Sequence, residues 1–181
     1  MEKNDARAGH IRKIAITGPE STGKSTLAAD LARHYHTVWV PEFARSYLEK
    51  INRPYNETDL LNIARGQWNE EIRLTPEASN GFLFSDTEML VLKIWSMHKY
   101  GRCHPEILEK LNNPSYDLYL LCDIDLPWEA DPQREHPHLR EHFLQLYMLE
   151  LDALHVPYEI ITGKSADRKK QAVEAIDRHL T

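Results

Sequence analysis

The chain has 181 residues, 41% hydrophobic and 28% charged, with a formal net charge of −6; this fits one domain with a real core and is too short for two of ordinary size. The negative balance has no compensating basic stripe and argues against nucleic acid as the main partner; no apolar run reaches membrane-spanning length, and residues 1–10 are polar, lack a signal-peptide core and are expected to be loosely ordered. Cys103 and Cys122 cannot staple a fold of this size, so a reducing, cytoplasmic setting is expected.

Residues 11–17 are a β-branched run suited to a buried strand, and residues 26–33 read as a helix. Between them Gly18-Pro-Glu20-Ser21-Thr22-Gly23-Lys24-Ser25 spells the phosphate-binding P-loop pattern. Strand, loop and helix start together aim backbone N–H groups at a polyphosphate. Residues Gly18, Glu20, Ser21, Thr22, Gly23, Lys24, Ser25 and Thr26 are therefore expected to hold ATP, with Lys24 reaching the β- and γ-phosphates and Ser25 holding Mg²⁺. No Asn-Lys-x-Asp guanine-reading motif is present, which disfavours a GTPase.

A second strand, 37–40, runs into Pro41-Glu42-Phe43-Ala44-Arg45. Glu42 could take the proton from an attacking hydroxyl, or simply stabilise a helix start after Pro41. Arg45 could contact substrate or phosphate, or pair with Glu42. Leu61, Ala64, Trp68 and Ile72 mark a helix with a plausible cap at Thr58. The strand at 82–85 closes on Asp86, the Walker B shape in which a carboxylate holds Mg²⁺ directly or through water. Glu88 reads as a further ligand or as a first-turn acid.

The strand at 116–122 leads into Asp123 and a loop at about 126–138, interrupted by Pro127, Pro132 and Pro137. This loop is expected to act as a lid, with Arg134 and, on the following helix, Arg140 stabilising the transferring phosphoryl group. Trp128 is a substrate platform or a plug beneath the lid. His136, His138 and His142 straddle a proline and lack a matching ligand set, which favours a solvated lid over zinc. Leu139, Phe143, Tyr147, Leu151 and Leu154 form one helical stripe; after a strand at 158–162, Val173, Ile176 and Leu180 form another. Strands alternating with helices predict an α/β fold of the P-loop NTPase type, a five-stranded parallel sheet covered on both faces, within one domain over 11–181. Its motifs lie at the carboxyl ends of strands, where such sheets bind ligands.

Taken in order, 18–25, Pro41–Arg45, Ala64-Arg65-Gly66-Gln67, Ser85-Asp86-Thr87-Glu88 and 116–128, continued as Trp128-Glu-Ala-Asp131-Pro-Gln-Arg134, resemble the ribosylnicotinamide kinase domain of the NadR family. The likeness runs from about Ile11 to the C-terminus, with Glu88 in place of an aspartate and Phe43 of a tyrosine. The nucleotidyltransferase and helix-turn-helix domains of full-length relatives have no counterpart here, so adenylylation and repression are not expected. The resemblance implies a nucleoside-kinase-like fold and transfer of the ATP γ-phosphoryl to the 5′-hydroxyl of nicotinamide riboside. It also implies a small-molecule acceptor beside Glu42, Arg45, Asp123 and Trp128, with Lys24, Glu42, Asp86 and Arg134 as the catalytic set. Two readings stay open beside it: a P-loop kinase for another nucleoside or vitamin alcohol, and a regulatory ATP-binding module. A polynucleotide kinase is weakened by the acidic charge.

Overall fold

The computed structural model describes residues 11–113 and 115–180; the expectation for residues 1–10 lies outside the described residues. Strands β1 (Arg12–Thr17), β2 (Trp39–Val40), β3 (Phe82–Asp86), β4 (Leu118–Cys122) and β5 (Tyr158–Ile161) form one parallel sheet in the order β2-β3-β1-β4-β5. The helices are α1 (Lys24–His34), α2 (Phe43–Ile51), α3 (Glu57–Leu74), α4 (Met89–Tyr100), α5 (Pro105–Asn112), α6 (Arg140–Leu154) and α7 (Ser165–Leu180). No helix among the described residues is long and apolar enough to cross a membrane.

The period-two alternation of side chains sorts the core into two layers. Ile14, Ile16, Leu118, Leu120 and Cys122 point to one face and pack against α1 and α7. Ala15, Tyr119 and Leu121 point to the other, beneath α2 to α6. With both faces buried, the central strands read as continuous apolar runs, and the fold is that of a P-loop NTPase.

Three expectations shift. β2 is only two residues long, because the Thr37 N–H still closes α1 on Ala32 O at 2.9 Å and its hydroxyl is bonded to Phe82 O at 2.7 Å. The cap of α3 is Asn56 rather than Thr58. Asn56 accepts from Asp59 N at 3.1 Å while Asp59 accepts from Asn56 N at 2.8 Å, a reciprocal capping box. The buried face of α3 runs through Leu60, Ile63, Ala64, Gln67, Glu71 and Leu74, whereas Ile72 is exposed. Buried Gln67 and Glu71 within that face displaced the apolar stripe.

Pairing of Ile16 with Asp86 and of Thr17 with Leu121 brings the ends of β3 and β4 level with the end of β1. The loop leaving β1 therefore opens at the centre of the sheet's carboxyl edge.

Candidate active site

The loop between β1 and α1 is held by backbone geometry that side chains would disturb. Gly18 has φ 134°, and a Cβ there would lie 2.8 Å from Cys122 O on β4. Gly23, the N-cap of α1, has φ 76°, so the helix starts without a side-chain cap and its first N–H groups face the crevice. The Thr22 hydroxyl donates to Pro19 O at 2.8 Å, and the Lys24 ammonium donates to Gly18 O at 2.9 Å and Pro19 O at 2.7 Å. These residues border a cavity of about 450 Å³, lined also by Glu42, Arg45, Trp95, Arg134 and Arg168. An arriving polyphosphate would draw the ammonium off two carbonyls, a modest exchange for a charge-assisted contact.

Asp86 ends β3 at 2% exposure, beside the Ser25 hydroxyl and near Lys24. Burial, reinforced by the negative charge of Glu42, pushes its carboxyl up to about 6. Its Oδ1 is buried and has no hydrogen-bond partner. An orphaned carboxylate oxygen beside a hydroxyl suits a hard divalent cation, so Ser25 and Asp86 could hold Mg²⁺. Thr87 follows at φ 74°, its N–H donating to Ile16 O at 3.2 Å. Glu88 turns away from the crevice. It caps α4 by accepting from Leu90 N at 2.6 Å and takes the Thr17 hydroxyl at 3.0 Å, so it is neither a free ligand nor an ordinary first-turn acid.

Glu42 is the N-cap of α2 but makes no capping bond; it lines the cavity, and its carboxylate has no hydrogen bond or ion pair among the described residues. A buried glutamine fixes its surroundings. Gln67 Oε1 accepts from Phe43 N at 2.8 Å, and Gln67 Nε2 donates to Asp86 O at 3.3 Å, tying the start of α2 to the end of β3. Gly66 gives the Phe43 ring its room, since a Cβ there would lie 2.1 Å from the ring. Arg45 pairs with Asp131 at 3.0 Å rather than with Glu42.

The 126–138 loop lies across the phosphate loop. Arg134 donates to Ser21 Oγ at 3.3 Å and Glu129 O at 2.6 Å; Arg140, opening α6, donates to Ser21 O at 3.1 Å and Leu126 O at 2.9 Å. Burial, with Arg134 and Arg168 close by, lowers the Arg140 pKa. Asp123 and Trp128 line neither the main cavity nor its neighbour. Asp123 closes a local turn on Ile124 N at 2.7 Å, and the Trp128 ring lies 6.0 Å from the Arg140 guanidinium.

Several residues at the site had no sequence signal. Arg168, 3% exposed on α7, donates to Thr22 O at 2.8 Å and Gly163 O at 2.9 Å and pairs with Asp125; it hides in a charged run that reads as a solvated helix. A second cavity of about 210 Å³ adjoins the first, sharing Glu20, Trp95 and Gln133 and adding Tyr55, His98 and Phe143. Trp95 went unmarked because α4 is apolar on nearly every side and shows no clean stripe.

The family model described as "AAA domain" matches residues 13–168. The trifunctional NAD biosynthesis/regulator proteins NadR of Escherichia coli K12 and Salmonella typhimurium LT2 are 29% and 28% identical over 130 residues, 68% of this chain. The chain is homologous to them there, and spans 31% of their length. Among solved structures, a NadR protein in complex with NR superposes with a TM-score of 0.71 at 22% identity, covering 93% of this chain and 50% of that one. A deoxyadenosine kinase from M. mycoides gives 0.65 at 13% identity, with 92% and 99% covered. At these identities the structural likeness establishes the fold.

Proposed function

The chain belongs to the AAA domain family, and from that premise we propose that it is an ATP-dependent kinase phosphorylating the 5′-hydroxyl of nicotinamide riboside to nicotinamide mononucleotide. The observation that carries the reading is the placement of Glu42, an unbonded carboxylate on the wall of the cavity that also holds Lys24 and opens beside an aromatic annex. A conformational switch needs no base facing an acceptor. A kinase does.

In this reading the loop N–H groups and Lys24 seat the triphosphate of ATP, and Arg134 screens charge on the transferring group from the lid side. The acceptor oxygen forms its bond to the γ-phosphorus as the bond to the bridging oxygen breaks, ADP departs, and Glu42 takes the hydroxyl proton. Ser25 and Asp86 would hold Mg²⁺, which would neutralise phosphate charge when bound. Asp86, at about 6, is ionised for that purpose at neutral pH. The acceptor ring would occupy the annex, where Trp95 offers an aromatic face to a cationic pyridinium. In this reading Trp95 takes the platform role, one of the two open to Trp128 from the sequence, and Asp123 lies outside the residues lining the two cavities.

One observation favours a second reading. Lys99 sits 3.4 Å from the Tyr55 ring centroid on the annex wall and places a fixed cation there; a kinase for a neutral nucleoside would tolerate it better. A coupled ADP-release assay across nicotinamide riboside, nicotinic acid riboside, uridine and cytidine separates the two. The first reading expects the highest kcat/KM with nicotinamide riboside, and fails if a neutral nucleoside leads.

A further inference from the structure

Glu20 occupies the second variable position of the phosphate loop, yet its carboxylate is not turned to the phosphate pocket's lysine. It accepts backbone N–H groups from the far end of the lid: Glu135 N at 3.1 Å and His136 N at 3.2 Å. The same residue borders both cavities, and His136, whose amide it holds, is a wall of the annex. The His136 ring packs edge-on against His98 at 4.7 Å and at a tilt against Phe143 at 5.7 Å, so fixing its backbone fixes that wall. The neighbouring Ser21 does the complementary job. Its hydroxyl accepts from Arg134 and from Glu129 N at 2.9 Å, anchoring the half of the lid that carries the arginine.

We infer that Glu20 is a positioning residue for the acceptor: through the Glu135 and His136 amides it holds the lid segment that shapes the annex, while Ser21 independently holds the segment that serves the phosphates. An acid next to a triphosphate is otherwise a liability, because like charges repel; two amide donors at the lid hold it elsewhere. The division of labour between adjacent loop residues predicts a split that a general structural role would not produce. The sequence places Glu20 among the residues that hold ATP; its backbone keeps that place in the loop, and loss of its carboxylate should weaken the acceptor more than the nucleotide. This rests on the kinase reading for its substrate, and on geometry alone for the latch.

The latch is tested first by amide hydrogen exchange on the full chain without ligands. Glu135 and His136 amides should be protected in the wild type and exchange about tenfold or more faster in Glu20→Ala, with α6 unchanged. Equal exchange in the two proteins overturns the latch. Kinetics with the best acceptor of the nucleoside panel follow. Two lost charge-assisted bonds imply an acceptor KM raised about tenfold or more in Glu20→Ala, with KM for ATP changed by clearly less. Glu20→Gln, which keeps one acceptor oxygen, should fall between the two. A parallel rise in KM for ATP assigns Glu20 to the phosphates and overturns the proposal, as does an unchanged acceptor KM. Should no nucleoside support ADP release, the kinase reading fails while the exchange result still decides the latch.

Discussion

The phosphate side and the acceptor side of this crevice are built by opposite means. The phosphate side is contiguous: eight consecutive residues, the six between β1 and α1 and the first two of α1, carry the glycines, the lysine and the serine, and their conformation is dictated locally by Gly18 and Gly23. The acceptor side is assembled from α2 and the turn after it, α4, α6 and the lid, and no two of its main contributors, Glu42, Tyr55, Trp95 and His136, are neighbours in sequence. A local site is robust and shared among many activities; an assembled one is where specificity can vary without disturbing the fold. Changes on the two sides should therefore fail differently, in turnover on one and in acceptor recognition on the other.

Glu42 stands at the junction, and its loss should be the largest effect. Glu42→Gln is expected to lower kcat by about 10²–10⁴-fold while calorimetry still detects Mg·ATP binding. Loss of Mg·ATP binding in that variant would place Glu42 on the phosphate side instead. Lys24→Ala removes the cation that seats the β- and γ-phosphates and should cost on the order of 10²-fold in turnover at an unchanged melting temperature. Near-normal turnover by the folded variant would break the phosphate-side assignment.

Asp86 sharpens the contrast through pH. Its carboxyl lies above its ordinary value, at about 6, so it favours the folded nucleotide-free protein below pH 3.8 and loses that contribution as pH rises through 6. Asp86→Asn should raise the stability of the nucleotide-free protein at pH 8 by on the order of 1–3 kcal/mol, and hardly at all at pH 4. The same variant should need more Mg²⁺ for half-maximal activity. A melting temperature lowered equally at both pH values would show that Asp86 is a structural partner. On the acceptor side the effects are smaller. Trp95→Ala should raise acceptor KM about three- to thirtyfold through lost ring contact, and Trp128→Ala by less. The reverse order would return the platform to Trp128.

The same contrast explains what could be read in the chain. The sheet was legible because strands buried on both faces are continuous apolar runs, and the phosphate loop because its spacing is fixed by backbone geometry. Glu42 and Asp86 were legible as acids just past strands. Arg168 and the side-chain direction of Glu20 were not, since a charged residue's burial depends on partners more than a hundred positions away: Thr22 for Arg168, Glu135 and His136 for Glu20. The annex was hidden by α4, whose all-round apolar surface erases the period that marks a helix. Trp128 drew notice as an aromatic in a polar loop, yet the turn that carries it faces Arg140.

The central claim is that the annex selects a cationic nucleoside for phosphorylation. Comparing kcat/KM for nicotinamide riboside and uridine at saturating Mg·ATP tests it directly. A pyridinium over an aromatic face predicts a preference of a few-fold to about thirtyfold for nicotinamide riboside, and equal values for the two nucleosides would contradict the account.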